Sequence, residues 1–332
     1  MACSKPFKLL QLPSLTHDVI FSLMDIGDVY HLSKCSTRSR YAVKKSTHRQ
    51  TYFFSIAAGV YDYCLRISSD CGKKFSHQLR PLRTSEPVCR PTYRNSFWLM
   101  TYWKEHWAAA KEEIVYLLDV FTRKVNTLDF HDTKKVIETT EFLKTVTHSS
   151  VESVYSGDNE TVIDDEVYKY VLKEFKNAKE LKIRGSPSTE FQFDEMEPFT
   201  GDLICISPAD WVTVDHLIRC FLNVEKVELR ISRNRSQIIP ALMHQFFTAW
   251  QKESRIKDLE LGRDWTFIDF QVMLENVPKT VVKRVEVESV KRAFQEGQCF
   301  LIRQESGMEA IAYHVYDTLY FKTNFRLLSD DE

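Results

Sequence analysis

Several features that mark common classes of enzyme and binding protein are scarce or missing in this sequence. There is no GxGxxG, Walker-type, GxSxG or HExxH motif, and only nine glycines and ten prolines occur in 332 residues. The formal net charge is −1, so no overall field would attract nucleic acid or a membrane surface. No apolar run approaches the roughly 18 residues of a spanning helix. We therefore expect neither an enzyme nor a cofactor, and neither a nucleic acid nor a membrane as partner.

The eight cysteines are scattered and form no CxxC pair. No secretory signal is visible, because polar residues and Pro13 interrupt the N-terminal apolar run. Reduced thiols and an intracellular location, cytoplasmic or nuclear or both, are therefore expected. Cys64, Cys71, His77 and Cys89 lack the paired spacing that lets one turn supply two metal ligands. We predict buried or inert thiols there and no metal.

The composition is that of a globular protein, with 43% hydrophobic, 13% aromatic and 27% charged residues. The length is sufficient for two domains. Residues 6–45 predict three short helices, with Ile26-Gly27 ending the first. The predicted N-caps are Ser14 or Thr16 for the first helix, Asp28 for the second, and Ser36 or Thr37 for the third.

This N-terminal segment resembles the F-box of the large nematode F-box families. The matching residues are Leu12-Pro13, Val19-Ile20-Phe21, Leu23-Met24-Asp25, Asp28-Val29, Leu32-Ser33-Lys34-Cys35 and Arg38. The sequence departs from the pattern at Ile26, where many F-boxes have Pro, and at Ser39, where many have Trp. The resemblance implies docking on the Skp adaptor and, through it, on a cullin–RING ubiquitin ligase. The docking residues it implies are Leu12, Pro13, Leu15, Val19, Ile20, Leu23 and Leu32.

An ordinary amphipathic cap on the following domain is the alternative reading of the same segment. So small a helical bundle is marginal by itself, because it lies at or below the size at which a core becomes self-sufficient. A partner, or the rest of the chain, would have to supply the missing burial.

Residues 71–94 are strongly basic and contain three prolines, which predicts a long loop or a strand followed by a loop. Such a segment suits an acidic or phosphorylated partner, and a solvated loop is the plainer alternative. The weak candidates for target recognition are Lys73, Lys74, Arg80 and Arg83.

From residue 107 onward, amphipathic helices alternate with short strands at unequal intervals. The pattern predicts an irregular leucine-rich-repeat-like helix–strand domain, with an ordinary α/β domain as the alternative. The later strands are predicted near residues 180–183, 226–229, 257–261 and 284–287. Residues 206–261 also resemble the type-2 F-box-associated domain of the same nematode families, through segments 207–217, 226–229 and 246–251. The expected fold is thus α+β or α/β, with an F-box at residues 5–46 and an associated domain at residues 51–328.

Some acidic and histidine residues would suit acid–base chemistry on paper, but each has a simpler structural role. The sets are His131-Asp132, and Asp210 with Asp215 and His216. We expect Asp132 to cap a helix, and Asp215 and His216 to lie in a first helical turn. Trp211 and Trp250 recur at similar places in the repeating pattern and are expected in the core. The sequence and its resemblance thus indicate an adaptor that recognises an unknown protein substrate for a ubiquitin ligase. The alternative function is a repeat-type interaction scaffold outside the ubiquitin system.

Overall fold

A computed structural model describes residues 9–81, 88–92, 96–158, 161–195, 197–231, 238, 240–262 and 270–329. The chain forms two compact units, Met1–Ser153 and Val154–Glu332. Both contain helices and strands, which confirms the mixed α/β class and the three N-terminal helices. The predicted boundary between residues 46 and 51 lies inside the first unit, and the division into an F-box and an associated domain stays a prediction.

The first unit places its helices ahead of and between the strands of a mixed sheet. Its helices are α1 (Ser14–Leu23), α2 (Ile26–Cys35), α3 (Thr37–Thr47), α4 (His106–Val120) and α5 (Val136–Val146). Its strands are β1 (Tyr52–Ala58), β2 (Tyr63–Ser69), β3 (Lys74–Pro81), β4 (Val88–Thr92), β5 (Ser96–Trp103) and β6 (Thr127–Phe130). The strand order is β6-β1-β2-β3-β5-β4, in which β1–β6 and β3–β5 are parallel and the other pairs antiparallel.

The predicted start of the first helix is wrong by a few residues. Pro13 is the N-cap of α1, in an extended conformation with φ −56° and ψ 150°, and no side chain caps the helix. Ser14 and Thr16 are therefore helical residues. Proline suits this position because its fixed φ is compatible with the turn into the helix and no backbone N–H is lost from the helical ladder.

The junction between α1 and α2 also differs from the prediction. Asp25 is the N-cap of α2, and Ile26 and Gly27 are buried in its first turn rather than ending α1. Asp28 lies in that first turn, where its charge suits the helix dipole. The third cap is confirmed, because the Ser36 hydroxyl accepts a hydrogen bond from the N–H of Ser39 at 3.1 Å.

The second unit is built on a larger mixed sheet with a small second sheet. Its helices are α6 (Asp165–Glu174), α7 (Val214–His216, continued by a π-helical turn at Leu217–Phe221), α8 (Met243–Lys252) and α9 (Phe270–Met273). Its strands are β7 (Ser153–Ser156, at the boundary), β8 (Glu180–Arg184), β9 (Leu203–Ser207), β10 (Lys226–Arg230), β11 (Asp258–Gly262), β12 (Lys279–Val281), β13 (Arg284–Val287), β14 (Val290–Ala293), β15 (Cys299–Arg303), β16 (Glu309–Val315), β17 (Thr318–Lys322) and β18 (Phe325–Leu327).

Four consecutive strands, β8 to β11, are parallel neighbours. On the far side of β11 the sheet continues with antiparallel strands in the order β17-β16-β15-β12. The predicted alternation of helix and strand thus holds up to β11, although β9 was not predicted. The leucine-rich-repeat-like arrangement itself stays a prediction.

The last predicted repeat strand, at residues 284–287, does not extend the parallel sheet. It forms β13, which pairs antiparallel with β14 and β18 in a separate three-stranded sheet. Glu288 and Ser289 have φ values of 50° and 65°, the left-handed conformation of a tight hairpin turn. A local hairpin therefore replaces the crossover that a parallel neighbour would need.

Helix α8 covers one face of the larger sheet with aromatic side chains. Phe246, Phe247 and Trp250 surround Phe321 of β17, and the Trp250 and Phe321 ring centroids are 4.8 Å apart. Trp250 donates its indole N–H to the carbonyl of Ile256 at 2.9 Å. Trp211 is also buried, which confirms that both tryptophans are core residues.

Gly157, which follows β7, provides a test of backbone packing in the second unit. Its φ is 76°, and a Cβ at this position would overlap the carbonyl oxygen of Arg184. We expect Gly157→Ala to lower the free energy of unfolding by more than about 2 kcal/mol, since backbone strain and a steric clash add. Urea denaturation of the full chain measures this.

Gly297→Ala is the matched control, because its φ is 83° and no atom lies within 4 Å of the added Cβ. Gly297→Ala should lower the free energy of unfolding by about 1 kcal/mol, because it adds backbone strain without a steric clash. Equal destabilisation by the two substitutions would contradict the close contact at Gly157.

Candidate functional site

Helix α1 presents an apolar stripe to solvent. Leu15, Val19 and Leu23 are 72%, 59% and 77% exposed, and their spacing of four residues places them on one helix face. Phe21 lies on the opposite face and is fully buried. We call Leu15, Val19 and Leu23 the α1 stripe. Because large aliphatic side chains are usually withdrawn from water when a core is available, three in one row mark a surface that suits a partner.

The other predicted docking residues are distributed around the same helices. Pro13 is exposed at the start of α1, whereas Leu12, Ile20 and Leu32 are half-buried. The structure therefore brings Pro13 and the α1 stripe together at the surface. It leaves Leu12, Ile20 and Leu32 with only part of their side chains available.

The inner face of α2 packs on the rest of the first unit. Tyr30 is buried and stacks on Phe75 of β3 with ring centroids 4.7 Å apart. The hydroxyls of Ser33 and Tyr116 lie 2.6 Å apart, which connects α2 to α4. This apolar and hydrogen-bonded contact fixes the position of α2 against the sheet.

A buried carboxylate on α4 adds an ionic contact to α2. Glu113 accepts a hydrogen bond from Lys34 Nζ at 3.0 Å, and His77 Nδ1 lies 3.8 Å from its other oxygen. Burial raises the pKa of Glu113, but His77 and Lys34 lower it more, so the pKa lies below its ordinary value. Burial, and secondarily the charge of Glu113, raises the pKa of Tyr30. The carboxylate is therefore ionised at neutral pH and holds Lys34 in place.

Helix α3 is attached to the end of α4 by a second acid. Asp119 pairs with Arg40 at 2.7 Å and also with Lys44. Burial raises the pKa of Asp119, yet the two cations lower it below its ordinary value. Thr47 donates its hydroxyl hydrogen to the carbonyl of Val120. With α2 and α3 fixed in this way, the α1 stripe is held on a platform rather than on a mobile tail.

Lys73, a predicted recognition residue, contributes to this platform instead. Its ammonium group donates to the carbonyls of Ser22 and Met24 at 2.7 and 2.8 Å. These carbonyls lie at the C-terminal end of α1, where the helix dipole favours a cation. Lys73 therefore anchors α1, and two of its three N–H donors are already engaged.

The remaining basic candidates are less concentrated than their sequence suggests. Residues 74–81 form β3 and are not a loop, because they pair with β2 and β5. Lys74 is exposed on this strand, and Arg80 lies 3.8 Å from Asp62. Arg83 lies outside the described residues. Of the four predicted recognition residues, Lys74 is thus the exposed cation for which the described ranges contain no ion-pair partner.

The candidate metal ligands differ in burial and in their contacts. Cys64 is buried on β2, Cys71 is exposed at the β2–β3 turn, and His77 accepts or donates a hydrogen bond with Thr101 at 2.9 Å. The side chain of Cys89 lies outside the description. Within the part of the chain that is described, no group of three or more His, Cys, Asp or Glu side chains is arranged to hold a metal ion. Nor does any helix there have the length and apolar character needed to cross a membrane.

The residues that suggested acid–base chemistry have structural partners. Asp132 caps a 3-10 turn by accepting a hydrogen bond from the N–H of Lys134 at 3.2 Å. His216 completes a capping box with Thr213 and contacts the carbonyl of Phe193 at 2.8 Å. The prediction that Asp132 is a cap is confirmed.

Another part of the first unit was missed from the sequence: the acidic face of α4. Glu113, Tyr116 and Asp119 recur every three residues, which places them on one side of the helix. The signal was present, because Lys34, Arg40 and Lys44 supply the opposite charge in the N-terminal helices. Pairing the two sets required knowledge of which helices are neighbours.

Three comparisons with known proteins identified no relative of this chain. A scan of protein-family models, a search of curated proteins and a search of solved structures each found no match to the chain. The candidate docking site therefore rests on its own geometry.

The buried pair of Glu113 and Lys34 predicts a pH-dependent stability. We expect Glu113→Gln to lower the free energy of unfolding by about 1–3 kcal/mol at pH 7, because a charged hydrogen-bond partner is removed from a buried site. Since the folded-state pKa lies below the ordinary value of 4.5, the carboxylate stabilises the fold above that pH. This stabilisation is lost as the pH falls through the lower folded-state value.

Urea denaturation at a series of pH values measures the difference between the two proteins. It should be largest at neutral pH and shrink below pH 4.5. Glu112→Gln, at the exposed neighbouring position on α4, is the control and should have little effect at any pH. A difference independent of pH would show that ionisation of Glu113 is not what stabilises the contact.

Proposed function

We propose that this protein is a substrate-recognition adaptor of a Skp–cullin–F-box ubiquitin ligase. In this proposal the F-box-like helices α1 to α3 dock on the Skp adaptor, and the F-box-associated, leucine-rich-repeat-like remainder holds a target protein. The observation that carries the proposal is the α1 stripe, which follows Pro13 on a helix whose sequence already resembles the docking helix of an F-box.

The energetics of the stripe favour an interface. Burying a Leu or Val side chain contributes about 1.5–3 kcal/mol, so three of them can supply the centre of a specific contact. The platform matters as well, since Glu113 and Asp119 hold α2 and α3 before any partner arrives. A pre-organised surface loses less conformational entropy when it binds.

An adaptor of this kind acts without chemistry of its own. It raises the effective concentration of a target lysine near the ubiquitin-charged conjugating enzyme. The rate enhancement then depends on holding both partners at once, which requires one surface for the Skp adaptor and another for the target.

A repeat-type scaffold whose N-terminal helices only cap the fold is the second candidate. The observation in its favour is the packing of α2 and α3 on β3 and α4 through Tyr30, Lys34 and Arg40. Deleting residues 1–45 would uncover Phe75 and remove the lysine and arginine partners of Glu113 and Asp119, so the shortened chain should be destabilised under either reading. Surface substitutions on the intact chain are the discriminating test.

The triple substitution Leu15→Gln/Val19→Gln/Leu23→Gln tests the proposal directly. Glutamine is a good helix former, so α1 should persist while its apolar surface is lost. We expect the affinity of the full chain for purified Skp adaptor to fall by at least about a hundredfold, as measured by isothermal titration calorimetry.

Val60→Gln/Tyr61→Gln is the matched control, because these residues of the first unit are 59% and 72% exposed, like Val19 and Leu15. The control should bind like the unchanged chain, and both variants should keep the parent unfolding midpoint. Unchanged affinity in the stripe variant, or no binding by the unchanged chain, would favour the scaffold.

A further inference from the structure

The second unit has a sheet face opposite the one that α8 covers. Side chains alternate between the two faces of a strand, and Phe321 points towards α8. Tyr320 and Lys322 therefore point the other way. The registers of β8 to β11 and β17 place a polar set on this second face, here called the polar face: Glu180, Lys182, Arg184, Cys205, Ser207, Lys226, Glu228, Arg230, Asp258, Glu260 and Lys322.

Most charges on the polar face are already neutralised by each other. Lys226 lies 2.8 Å from Glu228, and Lys182 lies 3.5 Å from Glu180. The buried ammonium group of Lys322 contacts Asp258 at 2.8 Å and Glu260 at 2.6 Å. These pairs occupy the middle and the amino-terminal ends of the parallel strands. A ligand would have to break existing ion pairs to use them.

The carboxyl ends of the strands are different, because two arginines there are exposed. Arg184 is opposite Ser207, and Arg230 is opposite Gly262. Neither arginine has an ion-pair partner among the residues that the structure describes. They are two strands apart, which corresponds to about 10 Å between their Cα atoms. Within the described part of the chain, their guanidinium groups are thus available to engage an anion.

Cys205, on the same face, lies close enough to both arginines to be affected by their charges. Burial and then Glu228 raise the pKa of Cys205, to about 11, whereas Arg184 and Arg230 act in the opposite direction. Cys205 lies on β9, between the strands of the two arginines. Both guanidinium groups therefore act on the same central position.

Exposed apolar side chains lie at both ends of this row. Val162 is 77% exposed and forms a parallel bridge with Ser186, just beyond Arg184. Tyr316 is 92% exposed in the β16–β17 turn, and Thr318 of that hairpin is opposite Gly262. Asp317, the acid in this turn, accepts a hydrogen bond from Thr318. The row is thus basic at its centre, with an exposed apolar side chain at each end and the exposed carboxylate of Asp317 beside Tyr316.

We propose that the row formed by Val162, Arg184, Ser207, Arg230 and Tyr316 binds an acidic segment of a partner protein. Guanidinium groups match carboxylates in geometry and charge, and the two forks would take two acidic side chains of an extended peptide. Apolar residues flanking those acids would pack on Tyr316 and Val162. A basic segment does not fit, because the acids of the polar face already have cations.

This surface gives the proposed adaptor its target site, and to that extent the inference rests on the proposed function. It uses only the second unit, whereas docking on the Skp adaptor uses the α1 stripe of the first. A binding measurement without Skp adaptor therefore tests it separately, so either proposal can fail while the other stands.

The test uses the full chain and a short fluorescein-labelled peptide containing two glutamates flanked by leucines, with binding followed by fluorescence anisotropy. We expect the Arg184→Glu/Arg230→Glu variant to bind this peptide at least about a hundredfold more weakly than the unchanged chain, about tenfold per arginine. Added salt should weaken binding to the unchanged chain.

The matched control is Arg219→Glu/Lys252→Glu, which makes the same change in net charge at exposed positions on the helices of this unit. It should retain the affinity of the unchanged chain. A peptide with glutamine in place of glutamate should bind weakly, and a phosphoserine version reports whether phosphate is preferred.

Each other outcome would overturn the proposal. No binding of the acidic peptide, or an equal loss in the control variant, would show that the row is not an acidic-peptide site. Binding of the phosphoserine peptide alone would assign it to phosphate rather than carboxylate. Tyr316→Ala should cost about tenfold, and an unchanged affinity would remove Tyr316 from the site.

Discussion

The arrangement of the N-terminal helices depends on the buried carboxylate of Glu113. It lies on α4 beneath α2, and Lys34 is its direct partner. A carboxylate in such a position is unfavourable unless a cation accompanies it, so the helix that brings Lys34 is required for the stability of α4. Asp119, about one and a half turns further along α4, pairs in the same way with Arg40 and Lys44. The two acids thus make α2 and α3 part of the first unit.

This constraint determines what α1 exposes. Because the inner faces of α2 and α3 are already occupied, α1 buries Phe21 and directs the α1 stripe to solvent. Lys73 then fixes the end of α1 through the carbonyls of Ser22 and Met24. The same packing that makes the helices resemble a structural cap therefore also prepares a rigid apolar surface. The docking and cap interpretations share the same internal contacts. They differ in whether a partner binds the α1 stripe.

The sequence predicted the N-terminal helices and the strands β8, β10 and β11 because their signals are local. The Ser36 cap and the apolar spacing of α6 and α8 needed no tertiary information. What failed depended on contacts between distant residues. Predicting the role of Lys73 requires knowing where α1 ends. Predicting the pairing of residues 284–287 requires knowing that a hairpin turn at Glu288 pairs them with β14.

The candidate site was predictable in part for the same reason. Leu15, Val19 and Leu23 share a helix face by spacing alone, but nothing local distinguishes that face from the one carrying Phe21. Only packing decides which face is buried. The row at Arg184 and Arg230 was not predictable. It depends on the register of β8, β9 and β10 and on which lysines of the polar face form ion pairs.

The central claim is that the α1 stripe contacts the Skp adaptor, and site-specific photo-crosslinking tests it most directly. A benzoylphenylalanine placed at Val19 of the full chain should form a covalent adduct with purified Skp adaptor on irradiation. The same probe at Val60, which is equally exposed, should form none. An adduct from position 19 alone is the predicted result. Adducts from neither position, or equally from both, would contradict the assignment of the stripe as the docking surface.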